Sequence, residues 1–164
     1  MLSPYNYEYQ EETKSYHFTT KNNIEYLIAF PVDHTFSAVS NLEIENVYQL
    51  VISKNTNCVE PLDMQVSATI INILAAFFES SQNCMIYICD DDDGKAEKRH
   101  NAFHRWYQNS TLTDQITKVD NTILAESVAG DKAMYTSLLY HNNNANSEVI
   151  VEIYQTIQDI INEK

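Results

Sequence analysis

The chain has 164 residues, 44% hydrophobic and 20% charged, which is enough apolar material for one core of its own. A formal charge of −13 sets it against nucleic acid and anionic membrane surfaces, which carry the same sign, and favours a basic protein as partner. With two glycines, Gly94 and Gly130, neither a P-loop nor a dinucleotide-binding fingerprint can be written, because such loops need several glycines close together to bring amides up to a phosphate.

The opening residues have no apolar stretch suited to a signal peptide, and no later run approaches the roughly 20 residues of a membrane span, so a cytoplasmic protein is expected. Residues 15–20 and 24–30 alternate in polarity around Lys21, Asn22 and Asn23 and predict a hairpin; residues 47–53 predict a third strand. After Pro61 a helix is predicted over 63–79, with Asp63 as N-cap. Ile70, Ile71, Ile73, Leu74, Phe77 and Phe78 wrap most of its circumference and predict deep burial. The near-continuous apolar run at 84–90 reads as a central strand covered on both faces.

A second helix is predicted over 94–108, and 116–125 with 133–140 form a second hairpin around 128–131. Residues 141–146 read as a polar loop. The last helix, 147–161, carries Val149, Ile150, Ile153, Tyr154, Ile157, Ile160 and Ile161 on one face. No repeat or linker interrupts this series. The expectation is a single domain over 1–164 of α+β class: a mixed, mainly antiparallel sheet with helices on both faces, in the order β-β-β-α-β-α-β-β-α.

Cys84 and Cys89 lie at opposite parity in one strand, so they face opposite sides of the sheet and cannot pair; reduced, buried thiols are expected. Beyond them comes the most acidic stretch, Asp90 to Asp93. Counted as a calcium loop from Asp90 it fails, since Gly94 falls at position 5 and Asn101 at position 12. On the following helix Ala96, Arg99, Ala102, Phe103, Trp106 and Tyr107 share one side, which puts a guanidinium among apolar groups. Asp90 and Asp93 are its natural partners, either as a structural ion pair and helix cap or, with Arg99 and Trp106, as a ligand-binding set. Glu97, His100 and His104 follow zinc-compatible spacing at i, i+3 and i+7, but surface helix histidines are ordinarily solvated, and no metal is expected.

The order of elements over residues 15–140 resembles the core of GNAT-type N-acyltransferases. That resemblance implies acyl-CoA as donor, held by a loop of form Q/R-x-x-G-x-G/A at the first long helix. Here the stretch from Glu60 to Ala68 has no glycine, and Glu60 and Asp63 would repel a diphosphate. The acyltransferase pattern N-x-x-A-x-x-x-Y falls on Asp93, Ala96 and His100, which makes His100 the candidate general acid in place of the tyrosine. A second resemblance rests on Asp63, Thr69, Ile70, Ile73, Leu74, Phe77 and Phe78 in the first long helix. It continues through Tyr87, Cys89, Asp90, Arg99, Phe103 and Trp106, and is to a small bacterial family of unknown function. The expected function is therefore a GNAT-like, non-catalytic, acidic interaction or binding module without a cofactor. The alternative is a diverged acyl-CoA-dependent N-acyltransferase lacking the glycine loop, so whether the chain is an enzyme is left open.

Overall fold

The computed structural model describes residues 2–40, 44–58, 60–89, 93–125, 130 and 132–162. Seven strands, β1 (Glu8–Gln10), β2 (Ser15–Thr19), β3 (Glu25–Ala29), β4 (Val47–Lys54), β5 (Cys84–Cys89), β6 (Ile116–Ala125) and β7 (Lys132–His141), make one sheet in the order β1-β2-β3-β4-β5-β7-β6. Four α-helices accompany it: α1 (Thr35–Ser40), α2 (Met64–Phe77), α3 (Ala96–Gln108) and α4 (Ser147–Asn162). Neighbouring strands are antiparallel except β4 and β5, which run parallel and are joined through α2. Among the described residues no helix is long and apolar enough to cross a membrane.

Local chemistry sets the element boundaries. The β2–β3 turn closes through Asn23, at φ 58°, whose N–H donates to the Thr20 carbonyl at 3.0 Å; asparagine tolerates this left-handed backbone better than most residues. Asp63 caps α2 by accepting from Gln65 N–H at 3.0 Å. Gly94 has φ +71°, which no α-helix accommodates, so α3 starts at Ala96 and not at residue 94 as the apolar spacing predicts.

Strand parity divides the buried residues into two layers. On one face Phe18, Tyr26, Ile28, Leu50, Met85, Tyr87, Cys89 and Leu139 pack with Ile70, Ile73 and Leu74 of α2 and Phe103 of α3. On the other, Val47, Cys84, Ile86, Ile123 and Leu138 pack with Phe36 of α1 and Ile150, Ile153, Tyr154 and Ile157 of α4. Helices cover both faces of the sheet. Cys84 and Cys89 are buried in different layers, as their parity requires, and burial pushes the Cys84 thiol up to about 12.

Parallel pairing joins Val47–Leu50 to Cys84–Tyr87. Beyond that, β4 continues to Lys54 against β3, and β5 to Cys89 against β7. The two central strands thus part toward their C-terminal ends. Three elements are not predicted from the sequence: β1, the 3-10 turn Thr111–Asp114, and α1, capped by buried Asp33, whose carboxylate accepts from Thr35 and Phe36 N–H. α2 is also less enclosed than its composition suggests, because Leu62 and Met64 at its start are exposed.

Candidate functional site

Two polar constellations flank the sheet. The first gathers at the start of α2. Tyr5 and Tyr7 meet this helix, with Tyr5 N–H donating to Thr69 Oγ1 at 2.8 Å, Tyr5 Oη–H to Asp63 Oδ2 at 2.6 Å and Tyr7 Oη–H to Asn72 Oδ1 at 2.6 Å. Tyr5, Phe18 and Tyr26 stack in series, with centroids 6.1 and 5.0 Å apart, and the Tyr26 hydroxyl donates to Glu60. Burial, followed by this hydrogen bond, raises the Tyr26 pKa. Lys54 Nζ stands 3.8 Å from Glu60. A helix N-terminus ordinarily presents free amides to an anion; here it is occupied by the chain's own carboxylate, and that carboxylate is held by a tyrosine. Beside it lies an open cavity of about 410 Å³ lined by Asn22, Asn23, Asn55, Thr56, Cys58 and Glu60.

The second constellation lies between α3 and the β6–β7 hairpin. Ile116, Lys118 and Asp120 share one parity, so Lys118 and Asp120 point to the α3 side with buried Ile116, and Ser137 is the register partner of Asp120. The Lys118 side chain is only 1% exposed. Its ammonium donates to Asp120 Oδ1 and to His104 Nδ1, the latter at 2.9 Å, and lies 5.9 Å from the Tyr107 ring centroid. Ser137 Oγ–H donates to Asp120 Oδ1 at 2.7 Å, and Tyr107 Oη–H to the Ile116 carbonyl at 2.7 Å. Partial burial works to raise the Asp120 pKa, but the hydrogen bonds from Lys118 and Ser137 outweigh it and hold the carboxyl below its usual range. The His100 ring lies 5.4 Å from that of Tyr135; its Nδ1 is buried with no hydrogen-bond partner among the described residues, and burial holds its pKa below the ordinary value.

The predicted site residues divide between these surroundings and the solvent. Arg99 does meet Asp93, with Nη1 2.7 Å from Oδ2, but the two side chains are 37% and 53% exposed. The guanidinium is therefore partly solvated at the rim of the apolar stripe, and not in the middle of that stripe as the projection predicts. Nor does Asp93 cap α3. Lys95 holds the cap position without a side-chain bond, and Asp93 accepts from Lys95 N–H one step earlier, while Arg99 holds the Asp93 carboxyl below its usual pKa. Asp90, with Asp91 and Asp92, lies outside the described residues, as do turn residues Val128, Ala129 and Asp131 and the side chains of Ile160 and Ile161.

Trp106 packs edge-on against Phe103 with centroids 6.5 Å apart, and so belongs to the core margin. Of the three zinc-spaced residues, Glu97 is exposed, whereas His100 and His104 turn toward the Lys118 cluster. No three His, Cys, Asp or Glu side chains among the described residues are grouped to hold a metal ion. Between His104 and Asp120 the Lys118 ammonium stands where a cation would.

The chain belongs to a family of unknown function, DUF6169, whose model matches residues 62–156. The matched span takes in α2, β5, α3, β6, β7 and most of α4, and with them the whole Lys118 cluster, while β1–β4 precede it. No curated protein and no solved structure matches the chain.

Proposed function

We propose that this chain uses a GNAT-like, single-domain scaffold as a non-catalytic binding module for a basic protein partner. The scaffold reading is supported by the sheet order and by the single parallel pair, β4 and β5, joined through a helix and diverging at their C-terminal ends. One observation carries the non-catalytic part: Asp63 fills the first turn of α2, and Tyr5 and Tyr26 hold Asp63 and Glu60 in place. Any diphosphate placed there meets two carboxylates where amides are needed. The overall charge of −13 favours a cationic ligand over an anionic one.

Titration calorimetry separates the readings. Acetyl-CoA and longer acyl-CoAs are expected to give no binding heat, whereas a lysine- and arginine-rich peptide is expected to bind with an affinity that falls as salt rises. Micromolar acyl-CoA binding, about 8 kcal/mol, overturns this reading in favour of a diverged N-acyltransferase. The end of β4–β5 pairing at Leu50 and Tyr87 favours that second reading, with acyl-CoA as donor and His100 as the acid, because the two strands beyond it are not paired to each other and can meet an extended ligand.

A further inference from the structure

The layer that α1 and α4 build on the sheet stops at the start of β4. On the same side, Leu27 and Ala29 of β3, Val51 of β4 and Ile88 of β5 belong to neither core layer among the described residues. Register fixes their common face: Leu27 pairs with Ser53 and Ala29 with Val51, while Val51 and Ile88 each follow the last parallel pair, Leu50 and Tyr87. Val51 is 37% exposed and Ile88 41%. Single apolar residues at a surface are ordinary, but a set on one sheet face with polar groups at its margin is the pattern of a protein contact.

The margin of this face is acidic. Glu8 and His17 are cross-strand partners, as are Thr19 and Glu25, so Glu8 of β1 and Glu25 of β3 flank β2 on the same side. With Asn6, Gln10, His17 and Thr19 they line a cavity of about 480 Å³. The Ser15 hydroxyl, 2.7 Å from Nε2, fixes the His17 ring. Among the described residues no lysine or arginine stands within ion-pair distance of Glu8 or Glu25, and none on β1–β5 shares their face. The flanking turns bring Glu11, Glu12, Lys14 and Lys21, whose charges cancel, so Glu8 and Glu25 set the sign. We propose that this open face is where the basic partner docks, a lysine or arginine entering the cavity between Glu8 and Glu25 while apolar side chains of the same segment cover Leu27, Val51 and Ile88. The surface rests on the reading of the chain as a module for a basic protein, and adds that the basic segment is apolar as well. A purely cationic segment satisfies the cavity but leaves Val51 and Ile88 in water, and an acidic one meets two carboxylates of its own sign.

Titration calorimetry at low salt with a short peptide alternating arginine and valine tests this surface. The wild type is expected to bind it and to ignore the same peptide with citrulline in place of arginine. Glu8→Gln with Glu25→Gln is expected to weaken binding about tenfold. Glu97→Gln with Asp114→Asn removes the same net charge from exposed positions on α3 and the turn after it, and should change binding by less than about twofold. Val51→Ser with Ile88→Ser should weaken it about fivefold. All six positions are exposed, so melts matching the wild type are expected and verify folding. Equal losses in the two charge variants, or full binding by the Val51 and Ile88 variant, overturn the surface and leave the basic-partner reading standing. So does a wild type that binds a lysine- and arginine-rich peptide but not the alternating one. A wild type that binds neither overturns that reading and the surface together.

Discussion

The two halves of the sheet bury polar chemistry in opposite ways. Around β1–β4 the interior is rich in rings whose phenol ends reach polar partners at the rim, Tyr5 to Asp63, Tyr7 to Asn72 and Tyr26 to Glu60, while buried Ser15 and Asp33 bond to His17 and Gln49. Around β6 and β7 the order is inverted, with a lysine head brought inside and surrounded by His104, Asp120 and Ser137. Phenols keep their protons throughout the neutral range, so these rim bonds stay donated near neutrality. The second half instead pairs a buried ammonium with a carboxylate. A sheet can thus carry a ring-lined region and a charge-paired one side by side, because strand parity assigns each residue to a layer independently of its neighbour along the chain.

Substitutions in each half should separate the two. The largest effect is expected from Asp120→Asn, which leaves the buried Lys118 ammonium without its counter-charge. Its cost should be about 2–3 kcal/mol, short of the 3–5 for a fully enclosed pair because the carboxylate itself is partly solvated. Chemical denaturation at neutral pH measures it, and a loss no greater than that of Tyr26→Phe would erase the distinction between the halves. Tyr26→Phe comes next, at about 1.5 kcal/mol, the low end for a hydrogen bond to a charged group, since Lys54 still faces Glu60. That loss should be the same at pH 6 and pH 8, because the Tyr26 phenol keeps its proton across that range. Arg99→Met is expected to shift the melt less than Tyr26→Phe, because the Arg99–Asp93 pair is partly solvated; a drop as large as that of Asp120→Asn would return the guanidinium to the core.

Most of the sheet and its long helices are legible in the sequence. The strands at β2 through β7 are long enough for period-two or continuous apolar patterns to stand out, and α2, α3 and α4 each span at least three turns. β1 has three residues and α1 has six, too few for any periodicity to register. At the site, the histidines of α3 are visible as a spaced set, but their partners are not. Lys118 and Asp120 lie in a strand recognised only as part of a hairpin, and their shared parity with Ile116 is the one signal in the sequence that puts them on the covered face. The pairing of Arg99 with Asp93 is legible, but its exposure is not, for a different reason. A helical projection places Cα positions, and a long side chain carries its charge well beyond them.

The segment at residues 2–7 bears on the order in which the molecule assembles. Tyr5 is fixed by a residue 64 positions away, through its own N–H and the Thr69 hydroxyl, whereas the β2–β3 and β6–β7 hairpins close over short loops. Tyr5 and Tyr7 also pack on Phe18 and Tyr16 of the nearby β2, so the segment can settle on that hairpin early, while its bonds to Thr69 and Asp63 close a long loop and must wait for α2 to lie across the sheet. Those bonds to α2 are therefore expected to form late on refolding and to open early on unfolding, uncovering the start of α2 before either hairpin opens.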